Sequence, residues 1–278
     1  MMGGAGLLPQ IVDGPPKVSR ARAFLESLTA VVVTLIVLAA LGGVLVVLEP
    51  RAKSTDTLVG GGAYSVPTKG PGAYGSGTLG PWQALSHRIS TEDQIRDVLA
   101  FDGVVLFGDS IAVQDSPTLE RLLADRSGDL IAFHDWSGQP ASAAVDALEQ
   151  WSHHYGLPNR IVMAVGTNDI FDPPAFTAQL ERALRIAGPN RTVYWVNVYA
   201  SRIKVAAPIR HADLANSAWI NRQLEEAVAR HPNLRIIDWS GFLESQPNRP
   251  AQYLRDGVHT TPLGAAARNE LIADAIEH

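Results

Sequence analysis

From residue 104 to the C-terminus, short apolar runs rich in β-branched and aromatic residues alternate with longer stretches of helical spacing. This alternation restricts the fold more than any other feature, because each unit can bury its apolar side only by packing strand against helix. The runs at 104–107, 130–133, 161–165, 193–199 and 234–237 are predicted strands, and 118–124, 141–153, 174–187, 213–229 and 262–276 are predicted helices. The last helix has Thr261 as its N-cap and Pro262 at its first position. The strands are apolar throughout rather than alternating, so both faces of the sheet must be covered. The expected domain, residues 86–278, is therefore a three-layer α/β/α structure around a five-stranded parallel sheet. Ligands in such sheets bind beyond the carboxyl ends of the strands.

A second feature lies outside that domain. Residues 28–48, LTAVVVTLIVLAALGGVLVVL, carry no charge over 21 positions, a helix about 31 Å long against a hydrocarbon core of about 30 Å. A single transmembrane helix is expected there, retained as an anchor. Cleavage as a signal peptide is the competing outcome, with Ala40 and Gly42 as a small-residue site. Lys17, Arg20 and Arg22 precede the span, and Arg51 and Lys53 follow it. That balance places residues 1–27 in the cytoplasm and the folded domain outside the cell membrane. Residues 51–81 hold eight Gly and three Pro with no helical or strand period, so 49–85 is expected to be a flexible tether.

Composition excludes several function classes. The net charge of −5 offers no basic face for nucleic acid, and the absence of Cys removes disulfides, thiolate nucleophiles and Cys-bearing metal sites. A nucleophile has to come from Ser, Thr, Lys or a carboxylate.

The strand exits carry the chemistry. Gly108-Asp109-Ser110 follows the first strand, a strand-to-helix turn that would hold the Ser110 hydroxyl clear of the backbone. Ser137-Gly138-Gln139 follows the second strand, and Gly166-Thr167-Asn168-Asp169 the third. These are small or amide-bearing residues suited to donating hydrogen bonds to a developing oxyanion. Near the C-terminus, Asp256-Gly257-Val258-His259 sets a carboxylate three residues before an imidazole. That spacing can supply a general base and the acid that orients it. Asp109 and Asp169 are expected to brace their turns.

These four blocks, in this order from about Phe101 onward, resemble those of the SGNH hydrolase superfamily, the GDSL esterases and lipases. The resemblance implies a flavodoxin-like fold, Ser110 as nucleophile, and Asp256 and His259 completing the triad. It also implies an oxyanion hole made of the Ser110 and Gly138 N–H groups and the Asn168 amide, with Ser137 or Gln139 left open as bearers of the second block's role. No cofactor or metal is needed by this chemistry, and none is expected. An anchored domain of this kind is similar to extracytoplasmic SGNH domains that add or remove O-acyl groups on bacterial envelope polysaccharides. The expected substrate is thus an acylated glycan or another ester such as a lipid. Transfer would need a separate membrane acyltransferase partner to supply the acyl group, and a catalytically inactive glycan-binding protein is the alternative of another class.

Other conspicuous residues have plainer expectations. His153 and His154 are adjacent, so a helix points them about 100° apart and away from a shared metal. Residues 199–211 form a long segment bearing Arg202, Lys204, Arg210 and His211, either a solvated loop or a wall for an anionic or sugar-rich acceptor. Trp136 and Trp219 are expected in packing before sugar stacking.

Overall fold

A computed structural model describes residues 74–277. Six strands form one sheet: β1 (His87–Ile89), β2 (Val104–Gly108), β3 (Ile131–Trp136), β4 (Arg160–Ala164), β5 (Thr192–Val196) and β6 (Leu234–Ile237). Their order is β1-β3-β2-β4-β5-β6, with β2 to β6 parallel and β1 running antiparallel along β3. The expected five-stranded, all-parallel sheet is thus corrected to a mixed sheet of six. The added strand was invisible to pattern reading because it is three residues long, His-Arg-Ile, with only its middle residue half-buried.

Among the described residues the helices are α1 (Glu92–Ala100), α2 (Ser110–Arg126), α3 (Ala141–His154), α4 (Pro173–Ala187), α5 (Ala207–Val228), α6 (Trp239–Glu244), α7 (Arg249–Tyr253) and α8 (Pro262–Glu277). A 3₁₀ turn spans Thr167–Phe171. The pleat of the strands sorts the core into two layers. Val105 and Phe107 of β2, Ile161 and Met163 of β4, and Val193 and Trp195 of β5 pack with α1, α3, α4 and α5. The alternate residues Val104, Leu106, Val162, Ala164, Tyr194 and Val196 pack with α2, α6 and α8. The three-layer arrangement follows directly from that division.

Two helices begin earlier than their sequence suggests. Pro117 reads as a boundary, yet α2 runs through it from Ser110, with Ser116 Oγ–H and Thr118 Oγ1–H donating to the carbonyls of Ala112 and Asp115. Helix α5 opens at Ala207, inside the segment expected to be a loop. At α8 the expected cap is present: Thr261 Oγ1 accepts from Gly264 N–H at 3.2 Å.

The packed chain also reaches further toward the N-terminus than residue 86. Tyr74 and Ser76 are buried, and Asn216 Nδ2 donates to the Tyr74 carbonyl and the Ser76 hydroxyl, each at 2.9 Å. Trp82 meets Trp136 edge-on with ring centroids 6.0 Å apart. Isolated anchors fasten residues 74–85, so no periodic apolar pattern betrays the contact. The expected anchor at 28–48, the segment before it and the tether up to residue 73 lie outside the described residues. Among those described, no helix is long and apolar enough to cross a membrane.

Candidate active site

The carboxyl edge of the sheet gathers the strand-exit turns. Strand β2 ends on Gly108, where a Cβ would lie 2.1 Å from Ala112 Cβ and 2.7 Å from Asp135 Oδ1, so no larger residue fits beneath the first turn of α2. Asp109 is buried and caps α2, its Oδ1 accepting from Ile111 N–H at 2.9 Å. Ser110 is therefore the first residue of the helix, half-buried at the positive end of its dipole.

The loop before α8 meets it from the other side. Ser110 Oγ lies 2.9 Å from His259 Nε2, and His259 Nδ1 lies 2.9 Å from Asp256 Oδ2. Asp256 Oδ1 also accepts the backbone N–H groups of His259 at 2.8 Å and Val258 at 3.0 Å. Burial alone would raise the Asp256 carboxyl, but these bonds and the His259 ring outweigh it and hold the group below the ordinary carboxylate value. An ionised Asp256 takes the Nδ1 proton as its hydrogen-bond partner. The lone pair is then left on Nε2, where the Ser110 hydroxyl donates to it.

The other turns are laced to the first. Gln139 Nε2 donates to the Gly108 carbonyl, and Asn168 Nδ2 donates to the Gln139 carbonyl at 3.1 Å. Asp169 braces as expected, its Oδ2 accepting from Ala141 N–H at 2.9 Å at the start of α3. Its buried carboxyl is pushed up to about 7 by desolvation, against the pull of that bond.

A cavity of about 270 Å³ opens over these groups, and Ser110, Asn168, Asp256 and His259 all line it. Gly138 is not among its lining residues. It sits at φ +77 facing Trp82, where an added Cβ would come within 2.8 Å of the Trp82 Cβ. Sequence reasoning missed the apolar part of the wall, Ile170, Phe171, Val205 and Val258. Its only signal was that each lies within three residues of a flagged polar residue. His153 and His154 end α3 and are exposed. Trp219 packs against the core, and Trp136 stacks on His87 at 4.3 Å.

The GDSL-like lipase/acylhydrolase family model matches residues 106–267, more than half of the chain. Among solved structures, the lipase/acylhydrolase from Enterococcus faecalis is 21% identical with a TM-score of 0.52, covering 63% of this chain and 95% of that one. A GDSL-like lipase from Bacteroides thetaiotaomicron is 20% identical with a TM-score of 0.51, over 68% and 91% of the two chains. A member of the lipolytic G-D-S-L family from Veillonella parvula is 19% identical with a TM-score of 0.51, over 63% and 98%. At these identities the likeness is one of fold. No curated protein matches the sequence.

Proposed function

The chain belongs to the GDSL-like lipase/acylhydrolase family, and from that premise we propose that it is a serine esterase in which Ser110, His259 and Asp256 cleave O-acyl esters through an acyl-enzyme. The observation that carries this is the unbroken hydrogen-bonded chain from Ser110 Oγ through His259 to Asp256. As Ser110 Oγ attacks the ester carbonyl, its proton passes to His259 Nε2, and Asp256 stabilises the imidazolium that forms. The C–O bond to the alcohol breaks, His259 returns the proton to the departing oxygen, and Ser110 retains the acyl group. Water then attacks, giving its proton to His259, the bond between the acyl carbon and Ser110 Oγ breaks, His259 returns the proton to Ser110, and the acid leaves. Negative charge on the carbonyl oxygen is met by the Ser110 N–H and the Asn168 amide, the two expected donors that line the cavity.

The uncharged run 28–48 supports a location at the cell membrane, with the domain facing outward onto O-acyl esters of an envelope glycan or lipid. The test is Ser110→Ala. It is expected to abolish hydrolysis of short-chain aryl esters and labelling by a serine-directed phosphonate, while leaving the unfolding temperature nearly unchanged. Activity that survives the substitution would reject Ser110. In cells, loss of the protein is expected to raise the ester content of the envelope glycan. A fall would instead mark an acyltransferase, since water and a sugar hydroxyl compete for the same acyl-enzyme.

A further inference from the structure

The wall of the cavity contains two cations with different circumstances. Arg202 is fully committed: its Nε and Nη2 donate to the two oxygens of buried Asp213 at 2.8 and 2.7 Å, and its guanidinium lies 4.9 Å over the Phe171 ring. It fixes the segment that follows it. That segment is stitched to the loop of the triad, because Ser201 N–H donates to the Gly257 carbonyl at 2.9 Å and Ile203 N–H to the Asp256 carbonyl at 3.0 Å. The two backbones run so close that a Cβ on Gly257 would lie 1.8 Å from the Ser201 carbonyl oxygen. Lys204, one residue beyond these ties, lines the same cavity as Ser110 and His259.

Lys204 itself is exposed and has no ion-pair partner among the described residues, and the one carboxylate on the cavity wall, Asp256, is engaged by His259. The cavity therefore presents an ester-cleaving group, an apolar surface and one unneutralised positive charge. We infer that the substrate is an anionic ester, bearing a carboxylate or phosphate that Lys204 binds while its apolar part lies against Ile170, Phe171 and Val258. This rests on the proposed esterase function and narrows it. A neutral acyl sugar or triglyceride would leave the ammonium without a partner in the complex, whereas an acylated acidic sugar or an acylated phosphate-bearing polymer would neutralise it.

The experiment uses two matched pairs of esters and the full-length protein. In one pair the charge is on the alcohol side, 4-acetoxybenzoate against its methyl ester. In the other it is on the acyl side, 4-nitrophenyl hydrogen succinate against the corresponding methyl succinate ester. In at least one pair the charged member is expected to be favoured about tenfold in kcat/KM at low salt, through KM more than kcat. That preference should shrink as salt is added. Lys204→Met is expected to bring the ratio near one, Lys204→Arg to retain most of it, and Lys204→Glu to invert it. The pair that responds identifies the side of the ester on which the anion is read. Equal rates within both pairs, or a preference that survives Lys204→Met, overturns the anionic assignment and leaves the esterase intact. Failure to cleave all four esters, where Ser110 also resists the serine reagent, overturns the esterase and the assignment with it.

Discussion

Asn168, proposed as an oxyanion donor, is held in place by its neighbours. It sits in the 3₁₀ turn after β4, half-buried, with one amide proton given to the Gln139 carbonyl at 3.1 Å. That bond fixes the amide plane relative to the β2 turn, because Gln139 is itself tied to the Gly108 carbonyl. A preorganised donor of this kind acts mainly on the transition state, where charge has moved onto the oxygen. Asn168→Ala is accordingly expected to lower kcat by on the order of 10²–10³ with a much smaller change in KM. Steady-state kinetics on an acetate ester checks it, and an effect confined to KM would remove Asn168 from the oxyanion hole. Losing the bond to Gln139 adds about 1 kcal/mol of destabilisation, which thermal unfolding measures separately.

Among elements, the junction of α2 and α8 decides whether the proposed triad can form. Ser110 and His259 come from opposite ends of the domain sequence, and what aligns them is a polar cluster between the two helices. Thr260, the residue after His259, donates to Asp115 Oδ1 of α2 at 2.8 Å and accepts from Gln114 Nε2 at 2.6 Å. Asn269 of α8 donates to the Asp115 carbonyl at 3.1 Å, and the guanidinium of Arg268 lies 4.0 Å from Asp115 Oδ2. Thr260, Asp115, Arg268 and Asn269 are all buried. Thr260→Val keeps the shape but removes one of the two donors to Asp115 Oδ1, the other being Gln114 Nε2 at 3.0 Å, at a cost of about 1 kcal/mol. Unfolding by urea should register that loss. Because the His259 loop then keeps only the Gln114 contacts with the Thr260 carbonyl and Arg255 as hydrogen-bond ties to α2, kcat is also expected to fall about tenfold at a temperature where the variant is fully folded. Unaltered kcat would mean that the remaining bonds to Gln114, Ser201 and Ile203 and within the loop suffice to hold it.

At the scale of the molecule, buried carboxyls under the sheet edge set how stability responds to pH. Asp135 on β3 is fully buried and pushed up to about 8, chiefly by desolvation, against the pull of Ser116 and the charge of Arg88. Its geometry agrees with a protonated state. Ser116 has one hydroxyl proton and two acceptor neighbours, the Ala112 carbonyl and Asp135 Oδ2, so both contacts are satisfied only if Asp135 carries a proton and donates it. The folded state then keeps a proton that the unfolded chain has released from about pH 4 upward. More protons on the folded state mean that stability falls as pH rises through the window from about 4 to about 8, by at most about 1.4 kcal/mol per unit. Asp169, raised to about 7, adds a slope of the same sign up to that value. Asp135→Asn can still donate to Ser116 and has no proton to lose, so its unfolding temperature is expected to vary less between pH 5 and 8 than that of the parent. Identical slopes would show that Asp135 is ionised in the folded protein.

The sequence by itself determined the layer order, five of the strands and the polar residues that meet at the cavity. Each of these is written in local periodicity or in a turn tripeptide at a strand exit. It was silent on β1, whose three residues gain their strand conformation only from pairing with β3. It put the start of α2 at 118 rather than at Ser110, because the Ser116 and Thr118 hydroxyl bonds that accompany Pro117 are formed only in the folded helix. The packing of residues 74–85 was likewise hidden, resting on partners such as Asn216 that lie more than a hundred residues away. The site divides the same way. Asp256 and His259 are legible because they lie three positions apart, whereas the 2.9 Å contact with Ser110 spans 149 positions and depends on the α2–α8 junction. Lys204 could be flagged as a charge near the cleft, but only the folded chain decides that Arg202 is neutralised by Asp213 while Lys204 is left for a ligand. Local pattern encodes what a segment becomes, and long-range hydrogen bonding, which leaves no period in the sequence, decides which side chains remain unpaired for chemistry.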